Sequence, residues 1–299
     1  MRLKNSISLN FIFCFTACLV ISVNGRTQKF RSITTKEGIE IQENGKKVLF
    51  YQVKPKSQNG NYERAGYIHP LYSLKGNVIT EDFPEDHPYH HGIFWTWHQI
   101  ILNNKTIADG WISDKISWRV QGVKVKKYQK KISLRSDVKW KVQTEPGKQL
   151  PVIRENTTIT ILPESINQRI IDFDIQLYAL VDSLKIGGSD DVKGYGGFCL
   201  RLKLPDDIEF VSNDSLISPL ETAITAGRNM DFKGSFDGNN SPKIVVKLIT
   251  TPIGNDPQQS WILRKKASMQ NIVFPGRQPV LITRKGLRMR YRVILSNGL

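Results

Sequence analysis

The chain has 299 residues, 43 lysines and arginines against 27 acidic residues, and a formal charge of +16. So large a positive balance invites a nucleic-acid reading, but no helix-turn-helix, zinc-finger or RNP-like pattern is present. An anionic polysaccharide or a cell-envelope surface is the better-matched partner, with plain solubility as the alternative explanation of the charge.

Residues 1–25 carry the parts of a secretory signal in order. Arg2 and Lys4 form a basic start, residues 7–23 are mostly apolar, and Val23-Asn24-Gly25 offers a cleavage site before Arg26. The apolar run is short for a membrane span. Thr16-Ala17-Cys18 offers a lipoprotein alternative through Cys18, but the apolar run continues past that cysteine and Phe15 suits a lipobox poorly. A periplasmic or secreted protein without a stable membrane span is therefore expected. Its mature part, residues 26–299, keeps only Cys199 and so must rest on a packed core rather than an internal disulfide.

Strands are predicted, in chain order, at residues 38–42, 47–53, 93–97, 117–125, 132–142, 152–162, 171–179, 197–204, 243–250, 259–263 and 287–295. The alternation is clearest in three of them. Ile132, Leu134, Val138, Trp140 and Val142 alternate with Ser133, Arg135, Lys139 and Lys141. Ile171, Phe173, Ile175, Leu177 and Ala179 alternate with Asp172, Asp174 and Gln176, and Leu287, Met289, Tyr291, Val293 and Leu295 with Arg288, Arg290 and Arg292. Period two, apolar inward and polar outward, is the mark of antiparallel strands over one core. Glu43-Asn44-Gly45, Lys75-Gly76-Asn77 and Glu145-Pro146-Gly147 are turn signals between such runs. The expected fold is an all-β antiparallel sandwich, of jelly-roll or supersandwich type, in a single large domain. Residues 66–86, 184–197 and 252–276 fit the strand pattern poorly and are expected as functional loops.

All five histidines, His69, His87, His90, His91 and His98, lie in a His-rich segment at residues 66–98. That segment is also locally acidic, with Glu81, Asp82, Glu85 and Asp86. Imidazole titrates near neutral pH and binds transition metals, and a neighbouring carboxylate orients it or completes a metal shell. Three readings stand: a metal site of two or three histidines with a carboxylate, a metal-free acid–base site, or histidines hydrogen-bonded within a crowded loop. His90 and His91 are adjacent, so an extended backbone would point them to opposite sides. Trp95 and Trp97 read as core, whereas Trp111, after Asp109-Gly110, is the candidate for a ligand-facing ring.

Several blocks carry a family resemblance. They are Tyr67-Ile68-His69-Pro70-Leu71-Tyr72, Val78-Ile79-Thr80-Glu81-Asp82-Phe83-Pro84 and Asp86-His87-Pro88-Tyr89-His90-His91-Gly92-Ile93. Two more are Lys193-Gly194-Tyr195-Gly196-Gly197-Phe198 with Arg201, and Asn255, Pro257, Trp261 and Arg264. Together these resemble the DUF6807 family, also labelled PmoA-like, with His91 standing where the family pattern has arginine. The methane-oxygenase label attached to it implies an integral helical membrane subunit, which this sequence does not resemble. The resemblance implies a β-sandwich with a histidine-bearing cleft in bacteria that degrade glycans. It further implies His69, His87 and His90 as the central group, supported by Arg64, Asp86, Lys193, Tyr195 and Arg264.

The leading expectation is an exported carbohydrate-active lyase or hydrolase. His69, His87, His90, Asp86 and Lys193 would be its catalytic set, and Arg64, Trp111, Tyr195 and Arg264 its saccharide contacts. His69, His87 and His90 would hold a divalent metal ion if one takes part. The alternatives are a non-catalytic glycan-binding protein using tryptophans and basic stripes, and a copper or other metal-binding protein.

Overall fold

The computed structural model describes residues 29–238, 241–251 and 258–298, and among these every regular element is a strand. The signal, with Cys14 and Cys18, and the block residues Asn255 and Pro257 lie outside the described residues. Two nine-stranded antiparallel sheets carry most of the chain.

The second sheet opens with a meander of four long strands, Ile116–Tyr128, Lys131–Glu145, Lys148–Ile161 and Gln168–Ala179, followed in space by Leu287–Asn297 and Ile244–Thr250. Its alternation is realised residue by residue: Ile171, Phe173, Ile175 and Leu177 are buried while the residues between them are half-buried. The turn at Glu145-Pro146-Gly147 is closed by Gly147 at φ +77°, and Asn44-Gly45 turns with both residues at positive φ, as a tight hairpin requires.

The outer face of this sheet is a ladder of ion pairs. Asp172 faces Arg292, with Arg292 Nε donating to Oδ1 at 2.6 Å, and Asp174 receives Arg288 Nε at 2.7 Å. Arg154 and Asp137 pair in the same way. The arginine-rich stretch near residue 290 is thus engaged in cross-strand pairing.

The first sheet runs in the order Phe30–Thr34, Gly38–Glu43, Lys46–Gln52, Tyr67–Leu71, Ile93–Thr96, Gly197–Leu200, Gln270–Val273, Gln259–Ile262 and Ile224–Ala226. Its inner face meets the second sheet through stacked aromatics. Trp95 and Phe198 lie 6.1 Å apart and nearly parallel, and Phe198 stacks on Tyr291 of the opposite sheet at 4.3 Å. That shared core makes the molecule a β-sandwich, and Trp95 and Trp97 belong to it.

The central strands of the first sheet are buried on their outer face as well. Tyr67, Phe94, Cys199, Ile262 and Val273 form a second apolar cluster there with Trp111 and Met269. The expected irregular stretches explain this, because residues 72–92, 188–196 and 263–269 fold back over that face. They also contain strands that alternation did not show: Tyr67–Leu71, Leu184–Gly187 and Gln270–Val273.

Candidate functional site

The loop from Leu71 to Ile93 is pinned rather than free. Thr80 bridges Leu202, Glu81 N–H donates to Arg201 O at 3.0 Å, and Arg201 N–H donates to Gly92 O at 2.7 Å. Within it, His90 N–H reaches His87 O at 2.9 Å and Phe83 N–H reaches His90 O at 3.1 Å, closing a compact turn. Gly92 has to be glycine, since a Cβ there would lie 2.2 Å from Ile68 O.

This fold divides the histidines among three carboxylates. His87 Nδ1 lies 2.5 Å from Asp86 Oδ2, His91 Nδ1 2.8 Å from Asp82 Oδ1, and His98 Nδ1 2.9 Å from Asp109 Oδ2. His90 and His91 point to different clusters from the end of that turn, just ahead of the strand Ile93–Thr96.

The first cluster is organised by Arg201, a buried arginine ending the apolar run Phe198-Cys199-Leu200. Its guanidinium grips Asp86 with two bonds, Nη2 to Oδ1 at 2.6 Å and Nη1 to Oδ2 at 3.0 Å, and Nε donates to Glu81 Oε2 at 2.7 Å. Burial works against ionisation of Asp86, but hydrogen bonds from Arg201 and His87 and the arginine charge outweigh it, holding the carboxyl below its ordinary range. As an ionised acceptor, Asp86 fixes the hydrogen of His87 on Nδ1 and leaves Nε2 as the free lone pair.

His90 stacks on His87, ring centres 4.7 Å apart and planes within 5°. Burial first, with the nearby Arg201 charge adding to it, lowers its pKa to about 2, so His90 is neutral. Its Nδ1 lies 3.4 Å from Arg201 Nη1, which can only donate, so the hydrogen of His90 sits on Nε2. The parallel pair therefore offers one proton acceptor and one proton donor side by side.

A cavity of about 110 Å³ gathers six of the nine expected site residues: His87, His90, Lys193, Trp111, Tyr195 and Arg264. Asp86 stands behind His87. Tyr89, Ile262, Ser268 and Met269 complete the lining; Tyr89 and Arg201 enter the sequence reading only within the resemblance blocks, without a site role, and Ile262, Ser268 and Met269 are not named in it. The sign that could have revealed Arg201 is a lone charge closing an apolar strand, which needs a buried partner.

Lys193 sits in a loop whose shape is fixed by Asp191, whose Oδ1 accepts from the Ser189 hydroxyl at 2.7 Å and from the amides of Lys193 and Gly194 at 2.9 and 3.2 Å. The Arg264 guanidinium donates to the carbonyls of Leu220, Leu263 and Glu221 at 2.8, 2.8 and 3.0 Å.

The other expectations come out differently. His69 is not part of the cavity lining. Its Nδ1 lies 3.1 Å from Thr80 Oγ1, and burial together with Lys56 lowers its pKa against the pull of Asp82. Arg64 is 2 % exposed, lying over the Trp118 ring at 4.1 Å and donating to Trp95 O at 2.6 Å, so it braces the core instead of touching ligand. Trp111 is a cavity wall with little free face, being 2 % exposed and stacked on His98 at 5.2 Å. The proposed metal trio does not assemble. His69 belongs to the Asp82 group, and the stacked rings of His87 and His90 aim their in-plane lone pairs in parallel, not at one point. Among the described residues no group of three or more His, Cys, Asp or Glu side chains is arranged to hold a metal ion.

Larger hollows exist, one of about 620 Å³ beside Asp172, Asp174, Arg290 and Arg292, but the Asp172–Arg292 pair on its wall is already satisfied internally and it holds no histidine. The stacked histidine pair lines the smaller cavity on the outer face of the first sheet. Among the described residues, no helix is long and apolar enough to cross a membrane.

No curated protein matches the chain. Among solved structures it is similar to the crystal structure of the GalM/aldose epimerase homologue from C. elegans, at 11 % identity over 91 % of this chain and 100 % of that one, with a TM-score of 0.29. A superposition that loose bears on neither substrate nor reaction. The family described as "Family of unknown function (DUF6807)" matches residues 38–299, and the chain belongs to it.

Proposed function

We propose that this protein is an exported enzyme acting on saccharides through metal-free acid–base chemistry at the His87–His90 cavity. The observation that carries this reading is the Arg201–Asp86–His87 relay ending in a free Nε2 beside the neutral, donating His90. Such a pair can remove a proton from one substrate atom while donating a hydrogen bond to a neighbouring oxygen. Tyr89, Tyr195 and the edge of Trp111 supply aromatic surface of the kind sugar rings pack against, and Lys193 and Arg264 supply positive charge. The cavity is too small to enclose a drug-sized ligand, whose pockets span about 300–1,000 Å³. It suits one sugar unit entering from an extended chain. Export rests on the sequence of residues 1–25.

The test is turnover of a panel of bacterial, plant and algal glycans by the wild type and by His87→Gln and Asp86→Asn. The expected result is a loss of roughly 10²–10⁴-fold in kcat for His87→Gln, the range for a general acid or base, with an unchanged Tm because the side chain is 36 % exposed. Full activity in His87→Gln would refute the assignment.

A further inference from the structure

We infer that the substrate unit is a uronate, a sugar bearing a carboxylate, and that the cavity catalyses β-elimination from it. The inference rests on the acid–base reading above and names its substrate and bond.

Two cations line the cavity with no carboxylate in direct contact, Asp191 sensing the Lys193 charge only at longer range. Neither Lys193 nor Arg264 has a carboxylate within ion-pair distance among the described residues, although Arg154, Arg277, Arg284, Arg288 and Arg292 each have one. The three carbonyls that hold the Arg264 guanidinium orient it and leave its charge intact. Asp191, nearest in sequence to Lys193, turns its Oδ1 to the Ser189 hydroxyl and to two backbone amides. Asp86 is taken up by Arg201 and His87, so it does not compete. A planar anion entering this cavity completes both cations, and carboxylate is the planar anion that sugars carry.

Neutralising that carboxylate acidifies the hydrogen on the carbon beside it, and the base lies on the same cavity wall. His87 Nε2 takes the proton, and the electron pair passes into the carboxylate, where Arg264, Lys193 and the Nε2–H of His90 stabilise the added charge. The pair then forms a carbon–carbon double bond as the bond from the β carbon to the glycosidic oxygen breaks. The departing oxygen takes its proton from the hydroxyl of Tyr195, which lines the cavity and which burial keeps protonated. The proton on His87 restores Tyr195. One polymer gives two products, one unsaturated, and no co-reactant is consumed.

The experiment uses the wild-type protein with polygalacturonate, alginate and a glucuronate-containing glycosaminoglycan, with the same polymers after reduction of their carboxylates to alcohols, and with neutral glucans. Ultraviolet absorbance of the conjugated unsaturated product and release of reducing ends are read in parallel. The expected result is an absorbance rise on at least one polyuronate that vanishes on its reduced form. Arg264→Gln and Lys193→Gln should raise KM for that polyuronate roughly 10- to 100-fold, the worth of one charged hydrogen bond. Because Arg264 also ties down the segment at Leu220, the reduced polymers give the same answer without a variant. No unsaturated product from any polyuronate overturns the inference. If neutral glucans are cleaved instead and His87→Gln abolishes that cleavage, the acid–base reading stands alone. If the unsaturated product forms equally with His87→Gln, the acid–base reading falls too.

Discussion

At His91 a buried imidazole meets a buried carboxylate. Burial lowers the His91 pKa to about 4 against the pull of Asp82, while hydrogen bonds from His91 and Lys56 overcome burial to hold Asp82 at about 2. In the unfolded chain the imidazole protonates near its ordinary value of 6.5. Between pH 6.5 and 4 the unfolded state therefore binds the extra proton, and stability falls as the pH drops through that window. Asp82 adds a further loss from pH 3.8 to about 2. Urea unfolding across this range should show the decline. His91→Gln should flatten the pH 4–6.5 slope by about 1.4 kcal/mol per pH unit, one proton's worth. An unchanged slope would place the proton uptake on another group. Arg201 acts through Asp86, so Arg201→Met should cut kcat about 10²-fold or more although the side chain is not part of the cavity lining, as misorienting a base does. Sequence showed that histidines and acids cluster, but not which imidazole takes which acid. That pairing follows from the folded loop, in which Phe83 N–H is tied to His90 O, His91 reaches Asp82 and His90 stacks on His87.

Among the strands, Lys148–Ile161 shows how differently its two faces contribute. Inward, Glu155 accepts hydrogen bonds from Trp95 Nε1 at 2.9 Å, Trp140 Nε1 at 3.0 Å and Thr157 Oγ1 at 2.7 Å. It also faces the charge of Arg64, whose own pKa burial lowers to about 10. Glu155→Leu would leave two buried indole N–H groups without their acceptor and the buried Arg64 guanidinium without the negative charge it faces. It should cost about 3–5 kcal/mol in denaturant unfolding, whereas Asp174→Asn on the outer ladder should cost less than about 1 kcal/mol. Equal costs would mean that Glu155 is not the acceptor. Strands with one face in water, such as Lys131–Glu145 and Leu287–Asn297, are legible from alternation, whereas Ile93–Thr96 and Gly197–Leu200 of the covered sheet are legible only as apolar runs. Tyr67–Leu71 and Gln270–Val273 lie in the covered sheet, where both faces are buried and the period disappears. Arg64 was misjudged for a related reason: composition places an arginine at the surface, and only the stacked Trp118 and the nearby Glu155 reveal a buried one.

For the whole molecule, the two sheets share one core, and among the described residues the one cysteine, Cys199, is buried and unpaired beside Asn271. Its thiol should react with a thiol reagent only as the sandwich unfolds, with the same denaturant midpoint as tryptophan fluorescence. Reaction well below that midpoint would mean that the first sheet opens separately. The sandwich and its His-rich segment are readable from alternation and clustering. The position of the cavity on the outer side of the first sheet was not, because it depends on three distant loops closing over Phe94 and Cys199.

Histidine side-chain nitrogen NMR measures directly whether the two imidazoles are held as acceptor and donor, and it requires no substrate. The expected spectrum has His90 neutral with its hydrogen on Nε2 from pH 7 to pH 4, and neutral His87 with its hydrogen on Nδ1, facing Asp86. A His90 that protonates near pH 6.5, or that carries its hydrogen on Nδ1, would contradict the contact with Arg201 and the acid–base site built on it.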